Sequence, residues 1–388
     1  MKLLDLALIL SILLLLRGEL MPEKVQQEWR VPSDFPTIQA AVDAAQEGDT
    51  ILIAPGVYRE HLVISKGVTL QGAGPAETIL EGEPSDFELF MEEHEEEQPG
   101  GVRLIARLGW QASTQDRIPI KTVRQPAIVI QAGQVQIRGL QIRPQGLQVD
   151  FPPWESPPPV PRPLRAGIVV EKGAEALLEQ VIIRHAHYGV VVKRGASLTL
   201  RHSILHNWDR GLQIWGTATV EDSSIHNEDI YESESSEVAV LIEKGRAFLR
   251  RNRISIFHVA PYGIPPHRIG DFCDVGVEAS DSEIVIESNQ IVGDFYHNIS
   301  IFRGKALIQK NLIIYRGYDG TGLKIGSAEA EVEGNTVIGL MPHGVGIQIN
   351  PQAQATLRHN RISQNGIGIE VSGAVAQLIE NEIYANKT

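Results

Sequence analysis

Apolar residues in this chain come in short runs, alternate with polar ones inside each run, and recur at a fixed interval. Two stretches read almost as copies: GIVVEKGAEALLEQVIIRHAHY from Gly167 and GVVVKRGASLTLRHSILHNWDR from Gly189, 22 residues apart. The opening phrase of the repeat recurs as HLVISKG at 61, AIVIQAG at 127, GLQIWG at 211, AVLIEKG at 239 and GVEASDS at 276. It continues as NISIFRG at 298, GLKIGS at 322, GIQINP at 346 and GIEVSG at 368. From Gly167 the successive spacings are 22, 22, 28, 37, 22, 24, 24 and 22, so the longer ones are a 22-residue unit with an insertion. A second ladder, Asn252, Asn289, Asn311, Asn335, Asn360 and Asn381, keeps a constant phase to the first.

Pairs such as Leu212 and Ile214, Leu323 and Ile325, or Ile369 and Val371 alternate with the period of a strand, and the intervening Gly, Ser and Asn leave no room for helices. Short strands that recur every 22 residues cannot close a sheet within one repeat. They bury their inward side chains by stacking each repeat on the next, as a solenoid does. Asn suits a recurring tight turn because it tolerates positive φ, and stacked on itself each amide can bond the next coil. The predicted fold is all-β: a parallel β-solenoid of about eleven coils.

These repeats, together with VPSDFPTIQAAVDAAQEGDTILIAPGVYREHLVISKGVTLQGAG from Val31, resemble the right-handed parallel β-helix proteins of the pectin lyase-like superfamily, including NosD-type proteins and pectinesterases. The resemblance covers residues 31–388 and implies one right-handed β-helix domain, with TIQAAVDAA as an N-terminal capping helix. The helical wheel agrees, since Ile38, Ala41, Val42 and Ala45 fall on one face. What the resemblance implies about activity is open, because the superfamily holds lyases, hydrolases, esterases, epimerases and non-enzymes. The pectinesterase aspartate pair, the polygalacturonase aspartates, the pectate-lyase calcium carboxylates and the alginate-epimerase DPHD motif have no counterpart in this sequence.

The 388 residues are 43% hydrophobic, sparse in aromatics at 6%, and rich in Gly (36) and Pro (22), which suits many strands and turns. A net charge of −13 argues against a nucleic-acid partner. Sixteen of the acids lie in residues 81–97 and 221–237; without them the remainder carries about +3, so an acidic ligand stays open. Cys273 is the single cysteine, which rules out an intrachain disulfide. The apolar run Leu6–Leu16 is too short to span a bilayer but suits a secretory segment, so residues 1–20 are read as a signal or anchor and the protein as exported, with membrane contact confined to that end. A start at Met21 is the competing reading. The chain is expected to be a monomer.

Three excursions break the repeat: residues 83–126 with the acidic run EEHEEE, read as a solvated loop; the proline-dense residues 150–165; and residues 258–275. The turns before successive repeat starts carry RHAHY, LHNWDR, HNEDIYESESSE, GDFYH, YRGYDGT and LMPH, and stack into a stripe at ~4.8 Å per coil. Aromatic faces suit sugar rings, while Asp, Arg and His supply hydrogen bonds and acid–base groups. The candidate catalytic residues are therefore Asp209, Asp229, Asp294, Asp319 and His297, the carboxylates forming adjacent-coil pairs at a spacing that fits glycosidic chemistry. Tyr188, Trp208, Arg210, Tyr231, Tyr262, Arg268, Tyr296, Arg316, Tyr318 and His343 are candidates for substrate contact. The expected partner is a polysaccharide, acidic in type, which the protein binds and, as an enzyme, would cleave or modify as a lyase, hydrolase or epimerase. The alternatives are a non-catalytic envelope module and a NosD-like metal handler. No cofactor is expected under the first two. A divalent metal on His185, His187, His206 and His226 belongs to the third, because an extended segment would point His185 and His187 to one side.

Overall fold

The computed structural model describes residues 26–82, 91–98, 101–108, 126–144, 166–229, 237–258, 274–316, 320–340 and 343–388. Almost all the strands belong to one continuous sheet of 32 parallel-paired strands, wound so that each coil contributes to three faces. Sheet I holds Leu62–Ile64, Ile128–Ile130, Ala166–Val170 and the strand segments that open each later repeat, eleven in all among the described residues. Sheet II runs from Glu28–Val31 to Val375–Ile379, and sheet III from Gly56–Arg59 to Glu382–Tyr384. The register repeats the sequence spacing: Ile168 lies beside Val190, Val190 beside Leu212, Leu212 beside Val240 and Val240 beside Val277.

Because like positions stack, each inward column is a row of aliphatics. Ile168, Val190, Leu212, Val240, Val277, Ile299, Leu323 and Ile347 are all fully buried in one core that extends the length of the solenoid. At the start of the sheet I strands the coils approach so closely that side chains are excluded. A Cβ on Gly189 would come 2.4 Å from the Gly211 carbonyl oxygen, and one on Gly211 would come 2.5 Å from that of Ala239. The open N-terminal end is covered as expected by the helix Ile38–Ala44, whose Ile38, Ala41 and Val42 are buried. Thr37 caps it by accepting from the Ala40 N–H at 3.1 Å, and the Glu60 carboxylate accepts from the N–H groups of Ile38 and Gln39.

The asparagine ladder sits at the corner between sheets II and III. The Asn311 Nδ2 donates to Asn335 Oδ1 at 2.9 Å and back to the Ile286 carbonyl at 2.8 Å, while its own Oδ1 accepts from the N–H of Asn289 at 2.9 Å. The same pattern joins Asn252 to Asn289 and continues through Asn360 to Asn381. Ser203 and Ser223 extend it toward the N-terminus with hydroxyl acceptors. One expectation is corrected here: the left-handed residue is not the ladder Asn but the one before it. Asp222, Arg251, Ser288, Lys310, His359 and Glu380 have φ between 50° and 57°. The turn is made by that residue, and it swings the following amide inward, where it must accept from the previous coil. A second correction concerns the acidic run, which lies in the strand Met91–Gln98, paired antiparallel with Gly101–Leu108 in a backbone register that matches Glu92 with Arg107 and Glu96 with Arg103.

Truncating an internal ladder residue strands buried donors on the preceding coil and a buried acceptor on the following one, whereas truncating the last one affects the preceding side only. Asn311→Ala is expected to cost about 3 kcal/mol and Asn381→Ala about 1 kcal/mol. Urea unfolding of the two variants measures the difference; equal losses would contradict a ladder that works through both neighbours.

Candidate functional site

The strands of sheet I turn their outward side chains into rows along the solenoid axis. Register aligns Tyr188, Arg210, Val238, Val275, His297 and Thr321 in one row, and Val191, Gln213, Leu241, Glu278, Ser300 and Lys324 in the next. A third row, one residue beyond the paired Ile214, Ile242, Ala279 and Ile301, carries Trp215, Glu243, Ser280 and Phe302. Between these rows opens a cleft of about 460 Å³ lined by Arg210, Val238, Leu241, Glu243, Val275, Glu278, Tyr296 and His297. Val238, Leu241 and Val275 form its apolar floor, a cluster separate from the core on the outer side of the sheet. Beside it Tyr188 and Trp215 pack against Ala166, Val169 and Val191. An apolar floor with a few convergent polar groups is the usual composition of a ligand site.

The polar groups of the cleft differ in their surroundings. Burial raises the pKa of Glu278; the charge of Arg210 opposes that shift and the charge of Glu243 adds to it. Glu243 is held from behind, its Oε2 accepting from Gln213 Nε2 at 2.9 Å and from Trp215 Nε1 at 3.0 Å. Since Glu278 lies beside Leu241, two residues before Glu243, the two acids stand on neighbouring coils with Cα atoms roughly 8 Å apart. His297 has its pKa lowered to about 4, mainly by burial and then by the Lys324 charge, while a backbone contact with Tyr296 works the other way. Its Nε2 lies 3.2 Å from Lys324 Nζ, and its Nδ1 is buried without a hydrogen-bond partner. The imidazole therefore accepts from the Lys324 ammonium and fixes it beside the cleft.

Behind the cleft, Glu237 and Asp274 occupy equivalent places on adjacent coils, each one residue before the paired Val238 and Val275. Both are buried. The Glu237 N–H donates to Asp274 Oδ1 at 2.8 Å, and Asn227 Nδ2 donates to Glu237 Oε2 at 2.7 Å. The Asp274 carbonyl accepts from the N–H groups of Tyr296 and His297, so this buried pair sets the height at which the cleft residues leave the corner.

Of the residues expected from the sequence, Arg210, Tyr296 and His297 come together in the cleft, and Tyr188 lies on its flank. Trp208 does not: it is 3% exposed, packs in the core and donates from Nε1 to the Leu205 carbonyl. The corner residue, taken as outward from the crowded polar turn, points inward because its partner Ala186 leaves space in the core column. Asp294 is paired with Arg316 at 3.5 Å on the sheet III side, and Arg316 also lies over the Phe257 ring, so neither lines the cleft. His343 is exposed at the corner before Val345–Ile349. Asp209 and Asp229 lie in the strands Ile204–Ile214 and Ser224–Asp229, but their side chains lie outside the described residues, as do Tyr231, Tyr262, Arg268, Tyr318 and Asp319.

The histidine set is also rearranged. His185 has a φ of 56°, which breaks the alternation that was to place it beside His187. Instead His187 meets Tyr188 edge-on, and His206 and His226 stack at 4.3 Å on adjacent coils of sheet III. Among the described residues no group of three or more His, Cys, Asp or Glu side chains could hold a metal ion. Sequence reasoning missed Glu243, Glu278, Trp215 and Lys324. They lie inside the repeat phrases and not in the turns before them, each directly after an inward aliphatic: Ile242, Val277, Ile214 and Leu323.

The depressed pKa of His297 makes a signed prediction. Its neutral form is favoured in the folded protein, so its contribution is present above the ordinary value of 6.5 and is lost as pH falls through about 4. The raised pKa of Glu278 acts in the opposite sense, which makes the comparison of variants necessary. His297→Gln is expected to lose about 2 kcal/mol less stability than the wild type between neutral pH and pH about 4. Urea unfolding at the two pH values checks this; parallel losses would show that His297 titrates normally.

Among solved structures, the chain is similar to an alginate lyase from Paenibacillus sp. str. FPU-7, with 12% identity, coverage of 92% of this chain and 99% of that one, and a TM-score of 0.41. It is similar to the A-module of the mannuronan C-5 epimerase AlgE6 of Azotobacter vinelandii, with 16% identity, 87% and 94% coverage, and a TM-score of 0.45. It is also similar to the pectin methylesterase of carrot, with 12% identity, 89% and 87% coverage, and a TM-score of 0.44. No curated protein matches the sequence. Residues 266–388 match the family model described as a right handed beta helix region. The coil-on-coil architecture is that of a right-handed parallel β-helix, and the family match over residues 266–388 agrees with it.

Proposed function

We propose that the protein binds a polysaccharide along the outer face of sheet I and cleaves it with the carboxyl pair Glu278 and Glu243. The observation that carries this reading is the difference between the two acids. One is desolvated and shifted toward its protonated form, and the other is clamped through one oxygen by Gln213 and Trp215. Two carboxyls held in contrasting environments are what acid-assisted glycosidic cleavage requires. Glu278 would protonate the departing glycosidic oxygen, and the open Oε1 of Glu243 would act on the sugar as nucleophile or through water. Arg210 and Lys324, four coils or ~19 Å apart, would receive anionic groups of the chain at either end. That placement favours an acidic glycan. The apolar floor of Val238, Leu241 and Val275 would take the hydrophobic faces of the rings.

Glu278→Gln keeps the shape of the cleft and removes the proton, so turnover is expected to fall by about 10²–10⁴-fold with binding retained. Release of reducing ends from polyuronates and neutral glucans, alongside calorimetric binding to the same polymers, checks both halves. Binding without turnover in the wild type would leave a non-catalytic glycan module; absence of binding to every polymer would defeat the proposal.

A further inference from the structure

We infer that Phe302 is a sugar-stacking platform that lengthens this groove, so that the protein selects a glycan chain of roughly four or more units over mono- and disaccharides. The inference rests on the glycan reading above and adds a length requirement to it. Phe302 is 52% exposed, directly after the fully packed Ile301. Its ring is nonetheless held in place. The Arg303 guanidinium lies 4.9 Å from the ring centroid, and Arg303 is itself fixed by two bonds to Asp281, at 2.6 and 2.8 Å. On the next coil stands Gly326, where a Cβ would come 3.2 Å from Phe302 Cδ2 and 2.9 Å from its carbonyl oxygen. The bare backbone thus leaves room for the ring to lie along the axis. A cation behind the ring and a glycine beneath its edge orient an aromatic that the core does not use.

Its place in the register gives the ring its meaning. Phe302 stands in the same outward row as Trp215, with Glu243 and Ser280 between them. Trp215 is locked by its bond to Glu243, with Lys193 Nζ 5.7 Å from its ring. Three coil steps separate the two aromatics, ~14 Å, and a pyranose unit spans about one step. A chain resting on both platforms would pass directly over the Glu243–Glu278 pair, with units on either side of it.

The test is calorimetric binding of sized uronic-acid oligosaccharides, from the disaccharide to the octasaccharide, to wild type, Phe302→Ala and Phe302→Trp. Phe302→Ala is expected to weaken the octasaccharide by about three- to tenfold, leave the disaccharide unchanged, and be matched by recovery in Phe302→Trp. An octasaccharide affinity that does not change in Phe302→Ala would overturn the inference. So would a loss of the same size at every length, which is what a merely structural residue gives. Wild-type protein that binds none of the oligosaccharides would defeat the glycan reading and this inference together, whereas wild-type binding without length dependence defeats this one alone.

Discussion

Everything in this molecule depends on like lying on like. Each coil hydrogen-bonds the next in parallel register, so a residue's neighbours are the residues at the same phase one turn before and after. The energetic consequence is that no coil is stable alone: aliphatic columns such as Ile168, Val190 and Leu212 bury one another, and the buried amides of the ladder are satisfied by groups on the neighbouring coils. The same rule places function. An outward position on sheet I becomes a row parallel to the axis, and three such rows with different chemistry make a groove.

The groove departs from the repeat, and the departures are local. The fully exposed-face pattern would be polar throughout, yet Val238, Leu241 and Val275 are apolar there and nearly as buried as the core. At the close-approach position where most coils carry Gly, two of the four coils that line the cleft carry Ala239 and Asn298, both fully buried. Asn298 Nδ2 donates to the carbonyls of Ile291 and Ile314, bridging two coils of sheet III at the level where His297 enters the cleft. The cleft is thus built where the repeat is least regular, which is consistent with a solenoid that gives up some uniformity for a binding surface.

The fold was legible in the sequence because the core columns are periodic: spacings of 22, 28 and 37 reappear as the register Val190–Leu212, Leu212–Val240 and Val240–Val277. The capping helix was legible for a related reason, its apolar face being fixed by helical period. The cleft was only half legible. Arg210, Tyr296 and His297 were found because they sit in polar turns, where chemistry stands out from background. Glu243 and Glu278 were not, because a glutamate next to an inward aliphatic looks like any solvated strand residue. Only its depth, set by side chains from other coils, separates Glu278 from Glu370 in the same row. Trp208 shows the converse error, in which a turn crowded with polar residues hid a core tryptophan. A comparison of the outward row across repeats would have shown Val169, Val191 and Leu241 as apolar where polarity is the rule.

The ladder has one more property. Every amide from Asn252 to Asn360 points its oxygen toward the N-terminal neighbour and an Nδ2 donor toward the next coil, so the individual dipoles add and do not cancel. The solenoid therefore carries an electrical polarity along its axis, positive toward the C-terminal coil. It is the counterpart, made from side chains, of the dipole that an α-helix makes from its backbone with the opposite sense.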